Sequence, residues 1–140
     1  MRSLILLSLL LATPCQPSIS FEGKAQTHRI QVDVARTPKQ REQGLMFVED
    51  LSKDQGMWFV FNNEQMRQFW MKNTLIPLDI IFVNSKLEVI NIVHRAQPET
   101  LTPRRSKAPA QYVLELLGGQ AKRRGLKAGT LLSTCGLESP

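Results

Sequence analysis

Hydrophobic and polar residues alternate from His28 to Ala35, where Ile30, Val32 and Val34 fall on one face and polar side chains on the other. A period of two predicts a half-buried β-strand. The next segment, Thr37-Pro38-Lys39-Gln40, predicts a helix start, with threonine as N-cap, proline at the first helical position and glutamine closing a capping box. Gly44 predicts the end of this short helix.

Short apolar runs between turn residues continue to the end of the chain. They predict further strands, bounded by polar or glycine-rich turns, over Met57 to Phe61, Gln65 to Lys72, Asp79 to Val83, Leu87 to Val93, Gln111 to Leu117 and Thr130 to Ser133. The turn at Asn84-Ser85 predicts a hairpin. A second short, basic helix is expected between Gly118-Gly119 and Gly125.

Residues His94 to Ala110 have no hydrophobic period and contain three prolines. This composition predicts a long irregular loop, and loops of that length within a compact domain are usually functional or mobile.

Six or seven short strands and two short helices indicate a mainly β fold. We expect a small, closed or nearly closed, mostly antiparallel and barrel-like sheet. An open α+β sheet is the alternative.

The chain is 140 residues long, which is enough for one domain. Behind Arg2, the apolar stretch Leu4 to Ala12 is too short to span a membrane, and it has the form of a secretory signal. A buried N-terminal helix is the alternative. Cleavage after Ser20 is favoured by the small residues Ser18 and Ser20, giving a signal peptide over 1–20 and a single domain over 21–140. The protein is therefore expected to be exported, periplasmic or extracellular.

The chain has two cysteines, Cys15 and Cys135. Whether they can form a disulfide depends on whether signal cleavage removes Cys15. Ala12-Thr13-Pro14-Cys15 resembles a bacterial lipoprotein box but departs from it at Pro14, so lipidation at Cys15 is an alternative to cleavage after Ser20. If Cys15 survives cleavage, it could carry lipid or pair with Cys135. If it is removed, no internal disulfide can form.

The formal charge of +6 comes largely from the second half of the chain. Eight basic residues lie there against two acidic ones between positions 95 and 127: Arg95, Arg104, Arg105, Lys107, Lys122, Arg123, Arg124 and Lys127. A basic surface of this kind can bind acidic partners such as anionic lipid, wall polymer or nucleic acid. More often, such charged residues only form a solvated face of the protein. Nucleic acid is not an expected partner, because aromatic stacking platforms are not evident.

The most distinctive stretch is FWMKNTLIPLDIIFV, from Phe69 to Val83. It resembles the signature of the family catalogued as domain of unknown function 192. Other blocks fit in the same order and are Gly44-Leu45-Met46, Gly56-Met57 with Phe59 and Phe61, Ala96-Gln97-Pro98, Tyr112 to Leu116 and Gly125 to Gly129.

This resemblance covers about residues 29–133 and departs from the family pattern only slightly. Thr130 stands where an aspartate is common, and Gly118 where an alanine is common. The resemblance implies a mainly β domain, frequently exported and chiefly prokaryotic, with no established activity.

Candidate site residues cluster in the same stretch. On antiparallel strands, Lys72 and Asp79 would flank a six-residue connection and lie near one another across the ladder. With Trp70, Asn73 and Thr74 they could hold a small anionic or sugar-like ligand. The structural alternative is an ion pair and an Asn73 turn that fix the connection.

Motifs for known catalysis are absent from the sequence. His28 and His94 do not belong to a metal-ligand spacing, and there is no nucleophile elbow or phosphate loop. No metal or cofactor is expected. The first hypothesis is a non-enzymatic accessory domain of the cell envelope that binds a small molecule or an envelope protein. The alternatives are an enzyme, hydrolytic in reaction, that uses Asp79 and Lys72, and a binder of anionic polymer or nucleic acid through the basic C-terminal half. The sequence leaves the oligomeric state open.

Overall fold

A computed structural model describes residues 13–140, so the apolar signal segment lies outside the described residues. The described part contains two short helices, α1 (Pro38–Gln43) and α2 (Gln120–Arg124). Its strands are β1 (Ser18–Glu22), β2 (Thr27–Ala35), β3 (Gln55–Gln65), β4 (Gln68–Phe69), β5 (Leu78–Val83), β6 (Val89–Ala96), β7 (Arg104–Arg105), β8 (Ala110–Leu117) and β9 (Ser133–Cys135). The mainly β prediction is confirmed.

Seven of these strands form one sheet in the order β6-β5-β8-β3-β2-β1-β9, and β4 pairs with β7 apart from it. Neighbours run antiparallel except β2 and β3, which are parallel because α1 and the following loop connect them. The sheet is not closed, so the barrel-like part of the prediction holds only in part. Strands β6 and β9 are the two edges of the sheet. The segments that precede them meet in one isolated antiparallel bridge, between Glu88 and Leu131, and not in a ladder of paired residues.

The sheet is buried on both faces. The first core draws on β1, β2, the central strands and the C-terminal segment, and includes Ile19, Ile30, Trp58, Ile81, Leu114, Leu116 and Leu132. The second core, under α1 and the loops, includes Leu45, Phe59, Met71, Leu78, Ile80, Phe82 and Val113. Successive residues of β8 therefore point alternately into the two cores, as strand geometry requires.

Helix α1 begins as the sequence predicts. The Thr37 hydroxyl accepts a hydrogen bond from the Gln40 backbone N–H at 3.1 Å, and the Gln40 side chain accepts one from the Thr37 N–H at 3.0 Å. Gly44 ends the helix with a φ of 47°, a conformation that glycine adopts readily. This local geometry fixes where α1 ends above the second core.

The predicted strand over Gln65 to Lys72 is wrong. Strand β3 continues to Gln65, and only Gln68–Phe69 of the remaining residues pair, with β7. The Met71 N–H is satisfied instead by the Thr100 carbonyl at 2.8 Å, and Asn73 turns the chain with a φ of 52°. Since this turn directs the backbone hydrogen bonds into the loop, no ladder can form there. The loop predicted from residue 94 starts only after β6 and contains β7.

Strand β1 lies across the boundary predicted at Ser20. Its residues Ser18 and Ile19 are buried, and Ile19 is completely inaccessible in the first core. The ordered sheet thus extends to residues that the sequence assigned to the signal peptide.

Candidate functional site

Asp79 is placed inside the protein by β5, whose residues are all buried. Its Oδ1 accepts a hydrogen bond from the Arg95 N–H at 2.8 Å, and its Oδ2 accepts from Gly119 at 3.0 Å and Ala121 at 2.8 Å. These bonds tie β5 to the end of β6 and to the turn before α2. With no exposed surface and with both oxygens occupied by backbone donors, Asp79 is a structural clamp.

The expected cross-strand pair of Lys72 and Asp79 is wrong. Lys72 lies in the loop after β4 with an exposed side chain, and its Nζ sits 5.1 Å from the ring centroid of Trp70. The pair cannot form because the segment bearing Lys72 leaves the sheet, whereas Asp79 points into it. Among residues 13–140, Arg124 and Asp54 make the only salt bridge.

Asn73 and Thr74 shape the connecting loop. The Asn73 carbonyl accepts the Phe47 N–H at 2.9 Å, and its side-chain amide lies 4.0 Å from the sulfur of Met46. Thr74 is buried, and its hydroxyl donates to the Lys72 carbonyl at 3.1 Å. Both residues hold the loop against the segment after α1.

A cleft of about 240 Å³ opens between that loop and α1. Three of the sequence-predicted residues, Trp70, Lys72 and Thr74, line it, whereas Asn73 and Asp79 do not. Aromatic rings form part of its wall: Phe69 packs edge-on against Phe59 with centroids 5.1 Å apart. The remaining lining residues are Arg41, Glu42, Gln43, Gly44, Leu45, Met46, Phe61, Gln68 and Glu115.

Glu115 is the unexpected member of this cleft. It sits on β8 between Met57 of β3 and Ile80 of β5, in the middle of the sheet. Only 4% of its surface is exposed, and it lines the cleft. Its carboxyl oxygens are not among the buried polar atoms of the described residues that lack a partner, so they face the cleft instead of being sealed in the core. A carboxyl group so placed can be satisfied only by water or a ligand entering the cleft.

Burial is the cause of its unusual protonation. Removal from water disfavours the charged form, which raises the pKa of Glu115 from 4.5 to about 8. The carboxyl is therefore mostly neutral at pH 7 and can donate a hydrogen bond as well as accept one.

Two basic side chains, Arg41 and Lys72, line the cleft. The Phe61 ring on β3 is flanked by two guanidinium groups. Its centroid lies 4.8 Å from the Cζ atom of Arg41 and 3.8 Å from the Cζ atom of Arg67. Arg41 and Lys72 line the cleft together with the exposed Glu42 and the buried Glu115, whereas Arg67 stacks on Phe61 outside the lining. The like charge of Arg41, after burial, also lowers the pKa of Arg67. With Glu115 neutral, the lining is thus favourable to an anion.

The sequence reasoning missed Glu115 as a site residue, although a signal was present. In the run Tyr112-Val113-Leu114-Glu115-Leu116, one charged residue interrupts an apolar strand. Period-two geometry places it on the same face as Val113, which is a core position. A lone carboxyl on a core face is the pattern that could have identified it.

The basic residues of the C-terminal half belong to several separate elements. Arg124 is buried and bonds the Lys53 carbonyl at 2.6 Å and the Asp54 carboxylate at 2.7 Å, so its charge is neutralised. That bond also lowers the pKa of Asp54. Arg104 and Arg105 belong to β7, whereas Lys122 and Arg123 belong to α2 and line a depression with Lys24, His94 and Arg95.

Two general features of residues 13–140 bear on the site. No group of three or more His, Cys, Asp or Glu side chains in this part of the chain is arranged to hold a metal ion. Neither described helix is long and apolar enough to cross a membrane.

Comparisons with known proteins agree on the fold and leave the activity open. A family model described as "Uncharacterized ACR" matches residues 19–134. No protein with a curated description is similar enough to match. A solved structure from Sinorhizobium meliloti, described as a candidate transcription regulator, is 35% identical, with a TM-score of 0.81 over 89% of this chain and 98% of its own. A protein of unknown function from Novosphingobium aromaticivorans is 37% identical, with a TM-score of 0.80 over 89% of both chains.

Proposed function

This chain belongs to the uncharacterised family called domain of unknown function 192, and we propose that it is a binding domain for a small anionic molecule with an aromatic or apolar body. The observation that carries the proposal is Glu115, a buried and unpartnered carboxyl on the wall of an aromatic cleft. The cleft, its polar group and its basic side chains each define one part of the ligand.

Glu115 defines the inner end. A largely buried carboxyl without a protein partner costs folding free energy. Its place on the cleft wall leaves Glu115 able to form a hydrogen bond with a group that enters the cleft. In its neutral form it donates a hydrogen bond to an acceptor on the ligand. In its ionised form it repels an anion.

The rings of Phe59, Phe69 and Trp70 define the body of the ligand, since flat apolar groups pack well against aromatic edges and faces. The volume of about 240 Å³ lies just below the usual range for drug-sized ligands. A single ring with a short side chain is the size that it favours.

Lys72 defines the outer end of the proposed ligand. Its ammonium group is exposed near Trp70, where it is free to meet a carboxylate or another anionic group. Arg41 is already held by the Val60 carbonyl at 3.1 Å and adds charge without moving. An exposed ion pair of this kind contributes up to about 1 kcal/mol.

Acid–base catalysis is the second candidate function, and the specific observation behind it is the pKa of about 8 for Glu115. A group that titrates near working pH suits general acid–base chemistry. The residue assigned to it is Glu115 instead of Asp79, whose oxygens are engaged by three backbone donors. Chemical conversion of a bound ligand, lost in Glu115→Gln, separates this candidate from simple binding.

Binding of nucleic acid or anionic polymer has weaker support. The related S. meliloti protein is described as a candidate regulator, but in this chain Arg124 is paired with Asp54. The other basic residues lie on several elements: Arg95 on β6, Arg104 and Arg105 on β7, and Lys122 and Arg123 on α2. Affinity for DNA that falls steeply with salt would favour this alternative.

We place the protein in the cell envelope or outside the cell. The disulfide between Cys15 and Cys135 supports this location, since disulfides persist in oxidising compartments.

The binding proposal is tested by titrating the protein with phenylacetate at pH 6 and following backbone NMR shifts. We expect shifts at Phe69, Trp70 and Glu115 and a dissociation constant of about 1 mM, as the small size of the probe allows. Lys72→Ala should weaken binding about threefold to fivefold, the effect of one exposed ion pair. Lys122→Ala, which removes an exposed lysine outside the cleft, is the matched control and should leave binding unchanged.

Two further probes sharpen the result. Acetate lacks the ring and phenylethylamine reverses the charge, so both should bind more weakly than phenylacetate. If phenylacetate shifts no cleft residue, or if the amine binds better than the acid, the proposed ligand class is wrong.

A further inference from the structure

The N-terminal segment before Phe21 is built into the sheet. Strand β1 pairs with β9 through Ser18 to Cys135, Ile19 to Thr134 and Ser20 to Ser133. Every one of these pairs uses a residue that cleavage after Ser20 would remove. The Pro17 carbonyl also accepts the Val32 N–H at 3.0 Å.

Removing these residues would damage the first core. Ile19 is completely buried there, and Ser18 is 1% exposed. Loss of Ile19 would leave a cavity in this core, and β9 would lose β1, its neighbour in the sheet that residues 13–140 form. The folded domain therefore needs the chain from at least Pro17.

Cys15 is positioned just upstream of this segment and is bonded to Cys135, with Cα atoms 5.8 Å apart, a usual separation for a disulfide. Gly136 packs directly on Cys15: a Cβ atom there would collide with the Cys15 carbonyl oxygen. Its φ of 65° is also one that glycine adopts readily. The C-terminal turn thus fits closely around Cys15.

Lipidation and the disulfide compete for one atom. A lipoprotein cysteine carries its diacylglyceryl group as a thioether on Sγ, and the same sulfur is the one joined to Cys135. One sulfur cannot hold both bonds. The two modifications therefore describe two different mature proteins.

We propose that Cys15 is a disulfide-forming residue of the mature protein, with signal cleavage on its N-terminal side and no lipid on its sulfur. The bond forms by exchange with a disulfide-bearing oxidant. The thiolate of one cysteine attacks the oxidant's disulfide, forms a mixed disulfide and releases one oxidant thiolate. The thiolate of the other cysteine then attacks the first cysteine's sulfur, which forms the Cys15–Cys135 bond and releases the second oxidant thiolate. Two thiols lose two protons and two electrons, and the oxidant leaves as a dithiol.

This inference is independent of the binding proposal and is tested on the full chain, expressed with its own signal and purified from the periplasm under non-reducing conditions. Mass spectrometry should find an N-terminus upstream of Pro17 that retains Cys15, and a peptide pair linked through Cys15 and Cys135. An N-terminus at Phe21, an acylated Cys15, an uncleaved Met1 or two thiols that alkylate without reduction would each overturn it.

A stability measurement provides a second arm. The bond closes a loop with a sequence separation of 120 residues, so its loss should lower Tm by roughly 10 °C. The Tm of Cys135→Ser and the Tm of reduced wild type should be lowered by the same amount. Reductant should not change the Tm of Cys135→Ser. Ser133→Ala is the matched control, since it alters an exposed β9 hydroxyl and leaves the bond intact. A Tm that reductant does not change would contradict the bond.

Discussion

Replacing Glu115 with glutamine should change how the stability of the protein depends on pH. Glutamine has the same shape but cannot ionise, so the variant keeps the packing of the cleft and removes one titration. In the unfolded chain Glu115 titrates near its ordinary value of 4.5, and burial raises its pKa in the folded protein to about 8. Between these values the folded state binds more protons than the unfolded state.

The sign follows from that difference. Because the folded state holds the extra proton, the contribution of Glu115 to the free energy of unfolding is greatest below pH 4.5 and falls as pH rises towards 8. Over the interval from pH 5 to pH 8 the loss is about 3–4 kcal/mol for a shift from 4.5 to about 8. Because glutamine cannot ionise, Glu115→Gln avoids this loss, and its free energy of unfolding relative to wild type should increase as pH rises.

The assay is urea unfolding of wild type and Glu115→Gln at pH 5, 6, 7 and 8. The quantity of interest is the difference between the two unfolding free energies at each pH, in which contributions from all other titrating groups cancel. The variant should gain on wild type by about 3–4 kcal/mol across the series. If the difference stays constant, or if wild type gains with rising pH, Glu115 is not a buried neutral carboxyl and the reasoning fails.

Two other substitutions test the structural framework around the cleft. Asp79→Ala leaves three backbone N–H groups without this acceptor, the one of Ala121 buried and the other two partly buried, and should lower the unfolding free energy by about 2–3 kcal/mol in urea titrations; a loss below about 1 kcal/mol would refute the clamp. Arg124→Ala removes bonds made by a buried guanidinium and should cost about 2–3 kcal/mol, whereas Asp54→Asn, at a mostly exposed partner, should cost under about 1 kcal/mol. Equal losses in the last two would contradict this assignment.

Local sequence signals predicted the elements of the fold well. The capping box at Thr37 and Gln40 and the alternation over His28 to Ala35 depend on neighbouring residues alone, and the structure reproduces both. The family resemblance, from the Phe69 to Val83 motif, was confirmed by the match over residues 19–134. Sheet closure was not predictable in this way, because it depends on how residues distant in sequence pair at the two edges.

The candidate site was only partly predictable. Trp70, Lys72 and Thr74 do line one cleft, but their partnership with Asp79 rested on a strand that ends early. A continuous apolar-polar alternation cannot show that Asn73 turns the chain with a φ of 52°. Glu115 escaped for the opposite reason: its chemistry appears only when tertiary packing removes it from water.

The central claim, that Glu115 is the polar group of a cleft for small anions, is tested most directly by the pH dependence of phenylacetate binding. In wild type, binding should be about fourfold weaker at pH 8.5 than at pH 6, because ionised Glu115 repels the anionic probe and only about a quarter of Glu115 remains protonated when its pKa is about 8. Glu115→Gln should bind phenylacetate with the same dissociation constant at both pH values. Equal pH dependence in the two proteins would contradict the claim.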